Sequence, residues 1–137
     1  RQMCIRDRKI TVQSIPFKSK LTRSEDQQFD LVTSAWIADY PDPSNFLDLM
    51  TSSNSYNDGK WNNKQYDALI KKSESTDANN ETARWNDMVA AEKILMNDQG
   101  IVPLYQQGQA ALVRSSVKGV QAFTTSPQYD FSKAYVK

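Results

Sequence analysis

Two prolines separated by one residue, Pro41 and Pro43, divide this chain of 137 residues. Each lacks a backbone donor, fixes φ and restricts the residue before it. The stretch Tyr40-Pro41-Asp42-Pro43 can therefore be neither helix interior nor central strand. Before it, residues 10–15 (Ile-Thr-Val-Gln-Ser-Ile) alternate in period two and are β-branched, which predicts a strand stopped by Pro16. Residues 17–26 set Phe17 and Leu21 one helical turn apart, which predicts a short helix. Residues 29–35 predict a second strand. Strand, helix and strand within about 25 residues match a βαβ unit, so a parallel pair with a right-handed crossover is expected.

Beyond the prolines the pattern turns helical. Ser44 can cap a short helix holding Phe46, Leu47 and Met50. Residues 52–59 form a polar loop. Tyr66, Leu69 and Ile70 share one face of a helix over 63–75. Asn80 can cap a longer helix to about Asn97, whose stripe is Trp85, Met88, Ala91, Ile94 and Leu95. Gly100 is its expected C-terminal stop. Residues 101–105 and 110–114 predict strands around a turn at Gly108, with a last strand near 134–136. The fold class is α/β or α+β, with several helices on a small sheet. The length suits one domain or a piece of one.

Composition removes whole classes of chemistry. There is no histidine, which excludes Ser-His-Asp and Cys-His catalysis and His-ligated zinc. Cys4 is the lone cysteine, so neither an internal disulfide nor a thiolate cluster can form. With 17 Lys+Arg against 16 Asp+Glu, the net charge of +1 provides no field to steer nucleic acid. No apolar run approaches the ~20 residues of a membrane span, and no secretory apolar core opens the chain. Residues 1–8 (Arg-Gln-Met-Cys-Ile-Arg-Asp-Arg) show neither alternation nor a helical stripe. They are read as a non-native or artefactual segment, set apart from a domain over 9–137; the alternative is an ordinary charged extension.

The densest polar cluster spans 36–48. In one reading, Asp39 and Asp42 are paired carboxylates for acid–base work, as in a glycosidase. In the other, Asp39 is a fixed anion for a cationic ligand group, with Trp36 and Tyr40 as apolar walls. Asp42, Ser44 and Asp48 suit helix capping. Trp61 and Trp85 suit packing. Asp58 is the single acid within 54–63, too few for a calcium loop.

The run from Phe29 to Leu47, with Trp36-Ile-Ala-Asp39-Tyr40-Pro-Asp-Pro43 at its centre, resembles the C-terminal portion of the oligopeptide- and dipeptide-binding proteins of ABC importers. Ile15-Pro-Phe17, Asn62-Asn-Lys-Gln-Tyr66-Asp-Ala-Leu69-Ile, Ala90-Ala-Glu92-Lys-Ile-Leu, Ile101-Val-Pro103-Leu-Tyr105 and Val117-Lys-Gly119-Val resemble further family segments in the same order. The resemblance spans 9–137 and implies part of one lobe of a two-lobed, periplasmic-binding-protein-like α/β fold, together with the returning C-terminal segment. It implies a non-enzymatic protein without cofactors, a monomer that captures peptides for the permease subunits of an ABC transporter. Its expected place is the periplasm or the cell surface, held by a lipid anchor upstream of this chain.

By the same resemblance Asp39 receives the peptide's α-ammonium. Ala35, Trp36 and Ile37 surround the peptide main chain, Phe17 falls at a pocket-lining aromatic position, and Tyr40, Tyr105 and Gln107 lie close by. Thr33 stands where some relatives carry Arg, so peptide length and carboxylate recognition do not carry over. Binding proteins of this fold also take nickel complexes, haem, sugars or pheromones, which leaves a non-peptide solute as the alternative. A carbohydrate-active enzyme using Asp39 and Asp42 is the remaining one.

Overall fold

The computed structural model describes residues 10–106, 108 and 110–137. The foreign-looking segment 1–8 lies outside them. The chain divides into two units, residues 1–32 and 33–137. In the described part of the first unit, residues 10–16 form no regular element and lead into α1 (Phe17–Glu25). Arg23 of α1 donates to the side chain of Gln13 at 2.6 Å.

The second unit is built on a pair of helices, α3 (Lys64–Glu74) and α4 (Glu81–Asn97). Both begin on an asparagine. Asn63 accepts from the N–H groups of Gln65 and Tyr66, and Asn80 from that of Ala83, satisfying donors that a helix start leaves unpaired. The short helix α2 (Ser44–Leu47) and the 3₁₀ turn Asp48–Met50 that follows it complete the cluster. Leu47, Tyr66, Ile70, Met88, Ala91 and Leu95 form its core. Trp61 meets Tyr66 edge-on with ring centroids 4.9 Å apart, and the Tyr66 hydroxyl donates to the Leu47 carbonyl. Burial pushes that phenol above its usual range. Lys72 of α3 bridges Asp77 at 2.7 Å and Asp87 of α4 at 3.0 Å.

The end of α4 corrects one detail of the sequence reading. Gln99, at φ 54, takes the left-handed position, not the glycine. The Gln99 and Gly100 N–H groups donate to the carbonyls of Met96 and Leu95, the paired bonds of a Schellman stop. Gly100 is required for room, because a Cβ there would lie 2.7 Å from Leu95 and 2.8 Å from Trp61. Trp85, expected on the buried stripe, is 55% exposed.

The expected strands differ more. Segments 10–15, 29–35, 101–105 and 110–114 enter no ladder among the described residues. An alternating, β-branched segment becomes a strand only when a second segment supplies hydrogen-bond partners. Val12, Leu31, Val102 and Leu104 stand exposed on these stretches. Pairing occurs instead in two nested antiparallel ladders near the C-terminus. β1 (Val117–Lys118) pairs with β4 (Tyr135–Val136), which falls on the expected last strand near 134–136, and β2 (Gln121–Ala122) pairs with β3 (Tyr129–Asp130). Gly119, at φ +77, lets the connection pass the Lys133 carbonyl, which a Cβ would meet at 2.0 Å.

Gly100→Ala is expected to lower stability by about 1–3 kcal/mol through overpacking against Leu95 and Trp61. Asn80→Ala, which removes a cap, should cost about 1 kcal/mol. Urea melts of both variants check the order; equal midpoints would contradict the packing role of Gly100.

Candidate functional site

Asn45 organises the cluster after the second predicted strand. It is buried at the second position of α2. Its Oδ1 accepts from the Trp36 indole N–H at 2.7 Å and from the Asp39 main-chain N–H at 3.2 Å. One side-chain oxygen thus sets the indole and the backbone at the carboxylate together. Trp36 is half-buried and meets Tyr56 edge-on at 4.9 Å. The Tyr40 hydroxyl lies 3.3 Å from the Ser44 hydroxyl.

A second anchor ties the loop to α4. Arg84 grips Asp42 through two parallel bonds of 2.8 Å, and Asp42 also accepts from the Ser44 N–H at 2.9 Å. This hydrogen-bonded guanidinium holds the Asp42 carboxyl well below the usual carboxylate range, against the opposing effect of burial. Asp42 therefore begins the short helix structurally, as one sequence reading expected, and both its oxygens are engaged. Such a group is a poor proton donor near neutral pH, which counts against the Asp39–Asp42 acid–base reading.

Asp48 behaves in the opposite way. Its Oδ1 is buried and has no hydrogen-bond partner among the described residues. Burial, with the negative charges of Glu74 and then Asp42, pushes the carboxyl up to about 6; Arg84 offsets this only in part.

A third contact brings in residues that sequence reasoning did not select. The Ser126 N–H donates to the Ala38 carbonyl at 2.9 Å, docking the loop between β2 and β3 beside the Asp39 turn. The peptide bond from Ser126 to Pro127 is cis. Between the two segments lies an open hollow of about 490 Å³, lined by Ile37, Asp39, Ser126, Gln128, Tyr129 and Phe131. That is within the ~300–1,000 Å³ of small-ligand sites. Asp39 is exposed on its wall.

Of the expected site residues, Asp39 and Ile37 meet in this hollow. Trp36 and Tyr40 do not line it; the first is held by Asn45 and Tyr56, the second faces Ser44. Ala35 is exposed just before the turn. Tyr105 is 81% exposed and lines no part of the hollow. Phe17 is 71% exposed at the start of α1 in the other unit. Gln107 lies outside the described residues. Asn45 stood inside the quoted motif without a signal of its own. Ser126 to Phe131 lie some ninety residues downstream, a contact no local pattern announces. No group of three or more metal-ligating side chains occurs among the described residues, and no described helix is long and apolar enough to cross a membrane.

No family model matches the chain. Over 129 residues it is 36% identical to the dipeptide-binding protein of Lactococcus lactis subsp. cremoris, covering 93% of this chain and 24% of that protein. Over 110 residues it is 34% identical to the periplasmic murein peptide-binding protein MppA of Escherichia coli, covering 80% of this chain and 20% of that one. A solved structure of the pheromone receptor PrgZ, which describes its mode of peptide binding, matches with a TM-score of 0.82 and 36% identity, over 99% of this chain and 25% of that one. The chain thus spans a quarter or less of the length of these relatives.

Two outcomes are expected from this geometry. Asn45→Leu leaves two donors unpaired and should cost about 1–3 kcal/mol, most of which Asn45→Asp, keeping an acceptor, restores; urea melts followed by tryptophan fluorescence check this. For Asp48, the folded state keeps the proton up to about pH 6, while the unfolded carboxyl releases it near 3.8. The folded state then binds more protons across that window, so this group's contribution to stability is lost as pH rises through it. Asp48→Asn should melt close to wild type at pH 4 and above it at pH 7.5; the reverse ordering contradicts the assignment.

Proposed function

We propose, from the premise that this chain is a homologue of part of the peptide-binding proteins of ABC transporters, that it forms part of an extracytoplasmic protein that captures peptides and passes them to a permease. Asp39 receives the peptide's α-ammonium, and Ile37 and its neighbours offer main-chain groups to the peptide. The observation that carries this reading is the Asp39 turn. Its carboxylate borders a ligand-sized hollow, while its backbone is held by Asn45 on one side and, through Ala38, by Ser126 on the other.

The physical chemistry supports it. An ammonium that leaves water needs a charged acceptor, and a carboxylate on a preset backbone meets it with little ordering cost. Residues 35–37 lie outside both ladders, and a bound chain can be added to such a segment as a further strand. Reading main chain rather than side chains lets many sequences bind.

The protein is proposed to act without catalysis, since Arg84 already occupies the second carboxylate that a glycosidase would use. The matched region is a quarter or less of the length of these relatives, and the remaining chain of such a protein would cover the exposed apolar segments and close over the ligand. Its place is outside the cytoplasm, as a periplasmic or lipid-anchored monomer, beside the permease subunits.

Calorimetry on the complete binding protein tests the ammonium role. Asp39→Ala is expected to weaken free-amine tripeptides by about 2–5 kcal/mol, and N-acetylation of the peptide to weaken wild type comparably. Equal affinity for acetylated and free peptides would refute the assignment.

A further inference from the structure

A second hollow, of about 360 Å³, adjoins the first and shares Ser126, Tyr129 and Phe131 with it. Three of its seven lining residues are aromatic. These are Phe123, Tyr129 and Phe131, the last two with ring centroids 6.0 Å apart and planes 33° from parallel. The hairpin fixes these walls: Ala122 pairs with Tyr129, Gln121 with Asp130, and the Phe123 N–H donates to the Gln128 carbonyl at 2.8 Å.

One charged residue lines this hollow, Asp130. Its Oδ1 accepts the Ser132 N–H at 2.7 Å, which lowers the carboxyl below its ordinary value and keeps it ionised. The Ser132 hydroxyl also bonds to this carboxylate and lowers it further. Neither Lys nor Arg lines the hollow.

Resting on the peptide-capture reading, we propose that this second hollow binds a cationic side chain, Lys or Arg, from the second or third residue of the peptide whose amino end meets Asp39. The aliphatic stem of such a side chain covers the rings, and its charged end lies over a ring face within reach of the Asp130 carboxylate. An extended peptide advances ~3.3 Å per residue with alternating side chains, so one of those two positions points into the adjoining space. A glutamate there meets a like charge, and an alanine leaves the rings uncovered.

The test uses the complete binding protein and calorimetry with five tripeptides: trialanine, trialanine with Lys at position two or three, and norleucine or glutamate at the position where Lys binds better. Norleucine keeps the apolar stem without the charge. One Lys peptide is expected to bind about tenfold more tightly than its norleucine counterpart, with glutamate weakest. In Asp130→Asn, which keeps an acceptor for the Ser132 N–H, that Lys-to-norleucine ratio should fall to about one. If trialanine binds but Lys and norleucine are equal at both positions, the cation site is overturned while peptide capture stands. If no tripeptide binds, both readings fall. Should Asp130→Asn not fold, the wild-type comparison decides alone.

Discussion

A single amide oxygen holds the candidate site together. Asn45 Oδ1 takes two donors, one from a side chain and one from the main chain, separated in sequence by three residues. A buried acceptor with two partners is geometrically demanding, so it defines how the indole and the Asp39 turn sit relative to each other. Asn45 is itself held because α2 is held: Leu47 enters the core, and Tyr66 bonds its carbonyl. The precision of an exposed turn is thus borrowed from a packed helix pair.

The two aspartates that flank α2 illustrate how environment, not residue type, assigns a role. Asp42 faces a guanidinium that it grips with both oxygens and stays ionised. Asp48, six residues on, has lost water without gaining a comparable partner and holds its proton to about pH 6. The first fastens the loop to α4. The second costs the fold stability at neutral pH. Arg84 stands between them and serves the first far better.

Helices were legible from sequence because their signals are local. Asparagine caps at positions 63 and 80, the apolar spacing of Tyr66 and Ile70, and that of Met88, Ala91 and Leu95 all act within a few turns. Trp85 fits the same spacing yet is exposed, since nothing among the described residues covers its end of the stripe. Strands were not legible in the same way. The alternation in 10–15 or 101–105 states a preference for extended backbone, and a ladder needs a partner that alternation cannot supply. The short ladders that do form join segments with weak strand patterns, selected by a tight turn at Gly119 and a close carbonyl.

What the sequence alone determined is the chemistry that this chain can perform and the place where it concentrates. Lacking histidine and having a single cysteine, it cannot carry out Ser-His-Asp or Cys-His catalysis or form His-ligated zinc or thiolate-cluster sites, and the Trp36 to Pro43 motif marks the turn where a carboxylate is presented. Those are matters of residue type and local dihedral restriction. Tertiary structure alone decided which carboxylate remained available, which tryptophan was pinned, and that a C-terminal hairpin would supply the opposite wall of the hollow. The reason is that each of these depends on a contact between residues far apart in the chain, and such contacts follow from burial and hydrogen-bond geometry, which no periodicity along the chain encodes.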